Sequence, residues 1–126
     1  ARAMTARHYV AIIDDDPGIC RSMARLLEHA GLKPIAYPSA EAFLDDGLRL
    51  PFSCLLVDIQ LEGMSGIELH RRIAACLIRT PVIYITANDD PLIRQEAMSV
   101  GGAAFFHKTD SGADILAAIE VATSQG

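Results

Sequence analysis

Five short apolar runs punctuate this chain, and each gives way to a segment whose apolar residues return every three or four positions. Bounded runs of four to eight apolar residues predict strands buried on both faces, and the three-to-four spacing predicts amphipathic helices. Tyr9-Val10-Ala11-Ile12-Ile13 is the first run, and it ends on Asp14-Asp15-Asp16. Asp16 and Pro17 suit the N-cap and first position of a helix whose apolar face is Ile19, Met23, Leu26, Leu27 and Ala30, with Gly31 closing it. Pro34 to Tyr37 is a weaker second strand, and Ser39 caps a short helix through Phe43 and Leu44 that stops near Gly47. Cys54 to Val57 form the third strand, ending on Asp58, and Ile67, Leu69, Ile73, Cys76 and Leu77 mark the next helix.

Val82 to Ile85 predict a fourth strand that ends at Thr86. Pro91 opens a fourth helix containing Leu92, Ile93, Ala97 and Val100, closed by Gly101-Gly102. Its apolar face is thin, so it is expected to be the least firmly docked helix. Ala103 to Phe106 make the fifth strand, running into His107-Lys108. Ser111 and Asp114 are spaced as a capping box before a last helix carried by Ile115, Leu116, Ile119 and Ala122. Strand and helix alternate five times without repeats or linkers, which predicts one α/β domain over residues 8–123 with a parallel sheet covered on both faces.

Composition narrows the picture. A chain of 126 residues, 51% hydrophobic, suits one domain with a core that needs no staples. No apolar run approaches the roughly 20 residues that span a bilayer, and the N-terminus carries no signal-peptide core. Cys20, Cys54 and Cys76 are odd in number and form no zinc spacing, so they are expected to be buried thiols in a reducing cytoplasm. A formal charge of −5 argues against direct nucleic-acid binding by this domain.

The chemistry sits at the strand ends. In a parallel sheet Asp14, Asp15, Asp58, Thr86 and Lys108 open on one edge, although they are far apart in sequence. Two carboxylates about 5 Å apart repel by roughly 3 kcal/mol at an effective dielectric near 20, and nothing structural requires such crowding. A divalent cation relieves it, and oxygen donors with room for water favour Mg²⁺. Phosphoryl transfer suits such a site: the cation and Lys108 offset phosphoryl charge, Thr86 donates a hydrogen bond, and a carboxylate in line can act as nucleophile. Singly, each residue has an ordinary reading as surface charge, strand-end hydroxyl or helix-capping acid. Jointly they require four coincidences.

These motifs resemble the receiver domain of two-component response regulators over about Tyr9 to Ala122. The residues that carry the resemblance are Ile12-Ile13-Asp14-Asp15-Asp16, Leu56-Val57-Asp58, Ile85-Thr86-Ala87 and Phe105-Phe106-His107-Lys108. Ser39-Ala40-Glu41-Ala42-Phe43-Leu44 is also similar to receivers of FixJ-like transcription regulators. The resemblance implies a CheY-like, flavodoxin-like fold with five helices flanking strands in the order 2-1-3-4-5. It implies that Asp58 takes a phosphoryl group from a histidine kinase or phosphotransfer protein. Asp15, Asp58 and the Gln60 carbonyl would be Mg²⁺ ligands, with Asp14 acting mostly through water. Thr86 and Phe105 would be switch residues, and phosphorylation would promote a homodimer through the fourth helix, fifth strand and last helix.

Two positions depart from the family pattern. Thr109 stands where proline usually follows the lysine, and Leu61-Glu62 stands where Met-Pro is favoured. Without proline, the Lys108–Thr109 peptide is expected to be trans. Three other readings compete. A haloacid-dehalogenase-type phosphohydrolase would use Asp14, Asp16, Thr86, Lys108 and Asp110 or Asp114, but it leaves Asp58 idle. A flavodoxin needs a hydroxyl- and glycine-rich phosphate loop where this chain has three aspartates. A non-phosphorylated receiver-like adaptor usually loses an acidic or lysine position, and none is lost here.

Overall fold

The structure, a computed structural model, describes residues 8–88 and 90–124. They form strands β1 (Tyr9–Ile13), β2 (Lys33–Tyr37), β3 (Phe52–Asp58), β4 (Val82–Thr86) and β5 (Ala104–His107). Helices α1 (Pro17–His29), α2 (Ala40–Asp46), α3 (Gly66–Ala75), α4 (Pro91–Ser99) and α5 (Gly112–Ser124) alternate with them. Every strand pairing is parallel, and the sheet runs β2-β1-β3-β4-β5, as the resemblance implied.

Alternation along the strands divides the core in two. Val10, Ile12, Cys54, Leu56, Ile83 and Ile85 face α1 and α5, where Met23, Leu27, Ile115 and Ile119 meet them. Ala11, Ile13, Leu55, Val57, Tyr84 and Phe105 face α2, α3 and α4. A period of two sends successive side chains to opposite faces, so unbroken apolar runs serve two helical layers at once. Close packing of the middle strands sets the positions of their ends, and those ends carry the chemistry.

Capping explains where several helices begin. Asp16 Oδ1 accepts from the Gly18 and Ile19 amides at 2.8 and 3.4 Å, confirming its assignment as N-cap. Ser39, Ser65 and Asp90 play the same part for α2, α3 and α4. For α5, Ser111 Oγ accepts from the Ala113 amide at 3.1 Å and the Ser111 carbonyl accepts from the Asp114 amide at 3.1 Å, in place of the expected bond from the Ser111 amide to the Asp114 carboxylate.

Other details differ from the sequence reading. Helix α3 stops at Ala75, so Cys76 and Leu77 lie beyond it; Leu77 turns into the left-handed region (φ 63°) and is 85% exposed. Ala30 is exposed at the end of α1, and α2 continues into a 3₁₀ turn at Gly47–Arg49. Cys54 alone of the three cysteines is fully buried; Cys20 is half-buried and Cys76 exposed. Helix α4 is thinly docked, as expected: Ala97 is its one fully buried residue and Leu92 is 75% exposed.

Candidate functional site

Two strand ends, those of β1 and β3, bring Asp14, Asp15 and Asp58 together, with one carboxylate oxygen of each within 4.8 Å of the others. Asp14 and Asp58 are buried, whereas Asp15 is exposed. Lys108, one residue past β5, reaches between the buried pair, with its Nζ 3.1 Å from Asp14 Oδ2 and 3.1 Å from Asp58 Oδ2. The lysine is placed by its own backbone, since its amide donates to the Thr86 carbonyl at 2.8 Å and continues the β4–β5 ladder.

Electrostatics at this centre are opposed. Burial pushes the Asp58 carboxyl above its usual range, while the Lys108 ammonium and the Gln60 amide pull it down. Burial also works against the Lys108 charge, but the hydrogen bonds to Asp58 and Asp14 outweigh it and hold the ammonium firmly protonated. One ammonium cannot offset three carboxylates, so the site keeps a net negative charge that a hard cation would relieve. The donor set fits such an ion, because it is all oxygen and one acid faces solvent.

Thr86 is buried, and its hydroxyl is engaged by its own loop. It accepts from the Asn88 amide at 3.1 Å and donates to the Asn88 carbonyl at 3.3 Å. Phe105 is buried beside Tyr84 in the α3–α4 core, with the Arg94 guanidinium 5.2 Å from its ring centroid. Gln60 follows Asp58 closely and donates its amide to Asp58 Oδ1 at 3.0 Å. Gly66 opens α3 against this strand end, where a Cβ would strike the Asp58 carbonyl and Val57.

All the proposed site residues therefore lie at one end of the sheet or just beneath it. Several neighbours were not legible as site residues. The ring of His107 bridges the Ala87 carbonyl (3.0 Å) and Thr109, and Asp110 Oδ2 accepts from the His107 amide at 2.8 Å. These bonds close the loop after Lys108 without proline, and its Lys108–Thr109 peptide is trans. Beneath Thr86, buried His70 lies 2.6 Å from the Tyr84 hydroxyl. Burial lowers the His70 pKa and raises that of Tyr84. Helical spacing places His70 on the inner face of α3, but only the fold shows its partner.

This arrangement defines the class: the chain belongs to the response regulator receiver domain family, whose model matches residues 10–120. Among named relatives, it is 39% identical over 110 residues to the transcriptional regulatory protein FixJ of Azorhizobium caulinodans, covering 87% of this chain and 52% of that protein. It is 34% identical over 122 residues to FixJ of Bradyrhizobium diazoefficiens, covering 97% of this chain and 60% of that one. The crystal structure of FixJ-N superimposes with a TM-score of 0.87 at 33% identity, covering 94% of this chain and 95% of the other. The chain thus spans about half the length of the curated relatives it matches. The phosphohydrolase reading finds no support in these comparisons. No helix among the described residues is long and apolar enough to cross a membrane.

Proposed function

We propose that residues 8–123 form a receiver unit in which Asp58 accepts a phosphoryl group from a histidine kinase or phosphotransfer protein. The observation that carries this reading is the single ammonium of Lys108 set 3.1 Å from both Asp14 and Asp58, beside the exposed carboxylate of Asp15. A carboxylate oxygen of Asp58 attacks phosphorus, and the bond from phosphorus to the donor's nitrogen or oxygen breaks with its electron pair leaving on the donor. Lys108 then meets the negative charge that arrives with the phosphoryl group.

Mg²⁺ is the cation this donor set suits: Asp15, Asp58 and the Gln60 carbonyl would hold it, with Asp14 through water, and when bound it would supply charge neutralisation for a phosphoryl group. Thr86 would exchange its bonds to Asn88 for one to a phosphoryl oxygen. Phe105 lies on the same face of the sheet as Thr86 and beneath α4, so the change passes to the α4–β5–α5 surface and promotes a homodimer. Thin docking makes α4 the element that moves at least cost. The domain itself contacts no nucleic acid, and it works in the cytoplasm.

The test is incubation with acetyl phosphate and Mg²⁺ followed by intact-mass measurement. One phosphate per chain is expected for the wild type and none for Asp58→Asn. Undiminished labelling of Asp58→Asn would refute the assignment.

A further inference from the structure

The loop between β3 and α3 shows a regularity that the receiver reading does not use. Three alternate amides, those of Gln60, Glu62 and Met64, donate to three different carboxylates: Asp58 Oδ1 at 3.0 Å, Asp15 Oδ2 at 3.3 Å and Glu41 Oε2 at 2.9 Å. Asp58 and Asp15 belong to the acidic cluster. Glu41 does not; it stands in the first turn of α2, 23 residues before Met64.

Two further features fit the loop to Glu41. Gly63 has φ +78°, a conformation that favours glycine, and a Cβ there would come within 2.6 Å of Glu41 Oε2. The close approach of carboxylate to backbone therefore needs the missing side chain. Glu62 stands where relatives favour proline, and the N–H that proline would lack is the one donated to Asp15. The Met64 amide in turn is the main influence holding the Glu41 carboxyl below its ordinary range.

We propose that Glu41 is a positioning residue for the phosphoacceptor loop: its carboxylate fixes the Met64 end of a backbone segment whose other amides orient Asp15 and Asp58. It touches neither phosphate nor metal. It acts through the loop, and its loss loosens the Glu62 amide that aligns Asp15. The inference rests on the receiver reading only for its meaning in phosphotransfer; the loop anchor can be tested without any phosphodonor.

The experiment uses the full chain and Mg²⁺ alone, followed by amide chemical shifts, together with hydrogen exchange at Met64 and Glu62. Glu41→Ala is expected to speed exchange of the Met64 amide and raise the Mg²⁺ half-saturation by about threefold to tenfold, the range for losing one ordinary net hydrogen bond. Glu41→Gln keeps an acceptor oxygen and should recover most of both effects. Gly63→Ala should reproduce the loss by displacing an intact Glu41. Glu68→Ala removes a half-buried acid of α3, paired with Arg72 and outside the loop, and should change Mg²⁺ affinity by less than about twofold.

An unchanged Mg²⁺ titration in Glu41→Ala, or an equal shift in Glu68→Ala, would overturn the proposal. If the wild type takes up no phosphate but the exchange and Mg²⁺ effects persist, the phosphoacceptor reading fails and the loop anchor stands. If phosphate uptake is normal and Glu41→Ala is silent in both measurements, the reverse holds.

Discussion

The two loops that frame the site solve one problem in opposite ways. Each lacks the proline that relatives favour, so each must hold its backbone by other means. The loop after Asp58 is held from a distance, with amides bonded to Asp15, 47 residues from its partner, and to Glu41, 23 residues from its own. The loop after Lys108 is closed from within: Asp110 accepts from the His107 amide, its own amide donates to the His107 carbonyl at 2.9 Å, and Thr109 bonds the His107 ring. Two long-range bonds, from the His107 ring to the Ala87 carbonyl and from the Lys108 amide to the Thr86 carbonyl, tie it to the Thr86 strand end. The first loop therefore gains its full set of bonds only when the end of β1, α2 and β3 have assembled. The second needs little beyond its own residues, which suits a segment that must deliver one ammonium to a fixed place.

The largest expected effect tests what the self-closed loop delivers. Lys108→Ala leaves the buried Asp14 and Asp58 carboxylates without their shared counter-charge. Phosphorylation by acetyl phosphate should fall by about a hundredfold or more, the scale for removing one group that stabilises developing charge. Stability without Mg²⁺ should drop by about 3 kcal/mol, with much of it restored by added Mg²⁺. Urea melts with and without the ion check this; a variant as stable as the wild type in both would show that the ammonium is not the counter-charge proposed.

Restoring proline in each loop sharpens the contrast. Glu62→Pro removes the amide that donates to Asp15 at 3.3 Å, so Mg²⁺ half-saturation should rise about threefold to tenfold, as for one ordinary net hydrogen bond. Thr109→Pro removes both bonds of Thr109 to the His107 ring, those of its hydroxyl and its amide, and in return stiffens the unfolded chain, for a net change within about 1 kcal/mol. Calorimetry and Mg²⁺ titration of the two variants decide it. Equal shifts in both measurements would erase the distinction between the loops.

The smallest effect is expected in the core beneath them. Burial depresses the His70 pKa, so the unfolded chain binds a proton there more readily than the folded one. Its contribution to stability is complete above the unfolded value, near 6.5, and declines as pH falls from there toward the lower folded value. His70→Gln should flatten this part of the stability profile while leaving Mg²⁺ binding at neutral pH unchanged. An unaltered acid slope would place the proton elsewhere.

Much of this architecture was legible in the apolar pattern, because the middle strands β1, β3 and β4 are buried on both faces and run into polar residues. β1 and β4 fall where the runs placed them, and the acids, hydroxyl and lysine converge because a parallel sheet gathers its strand ends. What was not legible falls into two kinds. Chain termination of α3 is decided by backbone conformation at Leu77, which apolar spacing cannot report, so Cys76 and Leu77 read as helix. Contacts such as Glu41 to Met64 join an exposed acid to a distant amide, and an exposed glutamate in a first helical turn already has a sufficient local reason in the helix dipole. The glycine at position 63 was visible as a loop residue, but not the carboxylate it makes room for.

The two-sided core has a consequence for how such a chain can change over time. Asp58 sits an even number of steps from Cys54 and Leu56, on the α1–α5 face, while Thr86 sits an even number from Tyr84, on the face toward α3 and α4. A single inserted or deleted codon within β3 or β4 would reverse that parity and turn an acid or hydroxyl away from its layer, together with every apolar neighbour on the strand. Substitutions can accumulate there one at a time, but length cannot. Insertions are tolerable only between elements, and of the segments beside the site the one after Asp58 is bonded at alternate residues to three fixed partners. Length variation in descendants of this sequence should therefore gather at the opposite end of the sheet, around the 3₁₀ turn at Gly47–Arg49 and the exposed turn at Leu77.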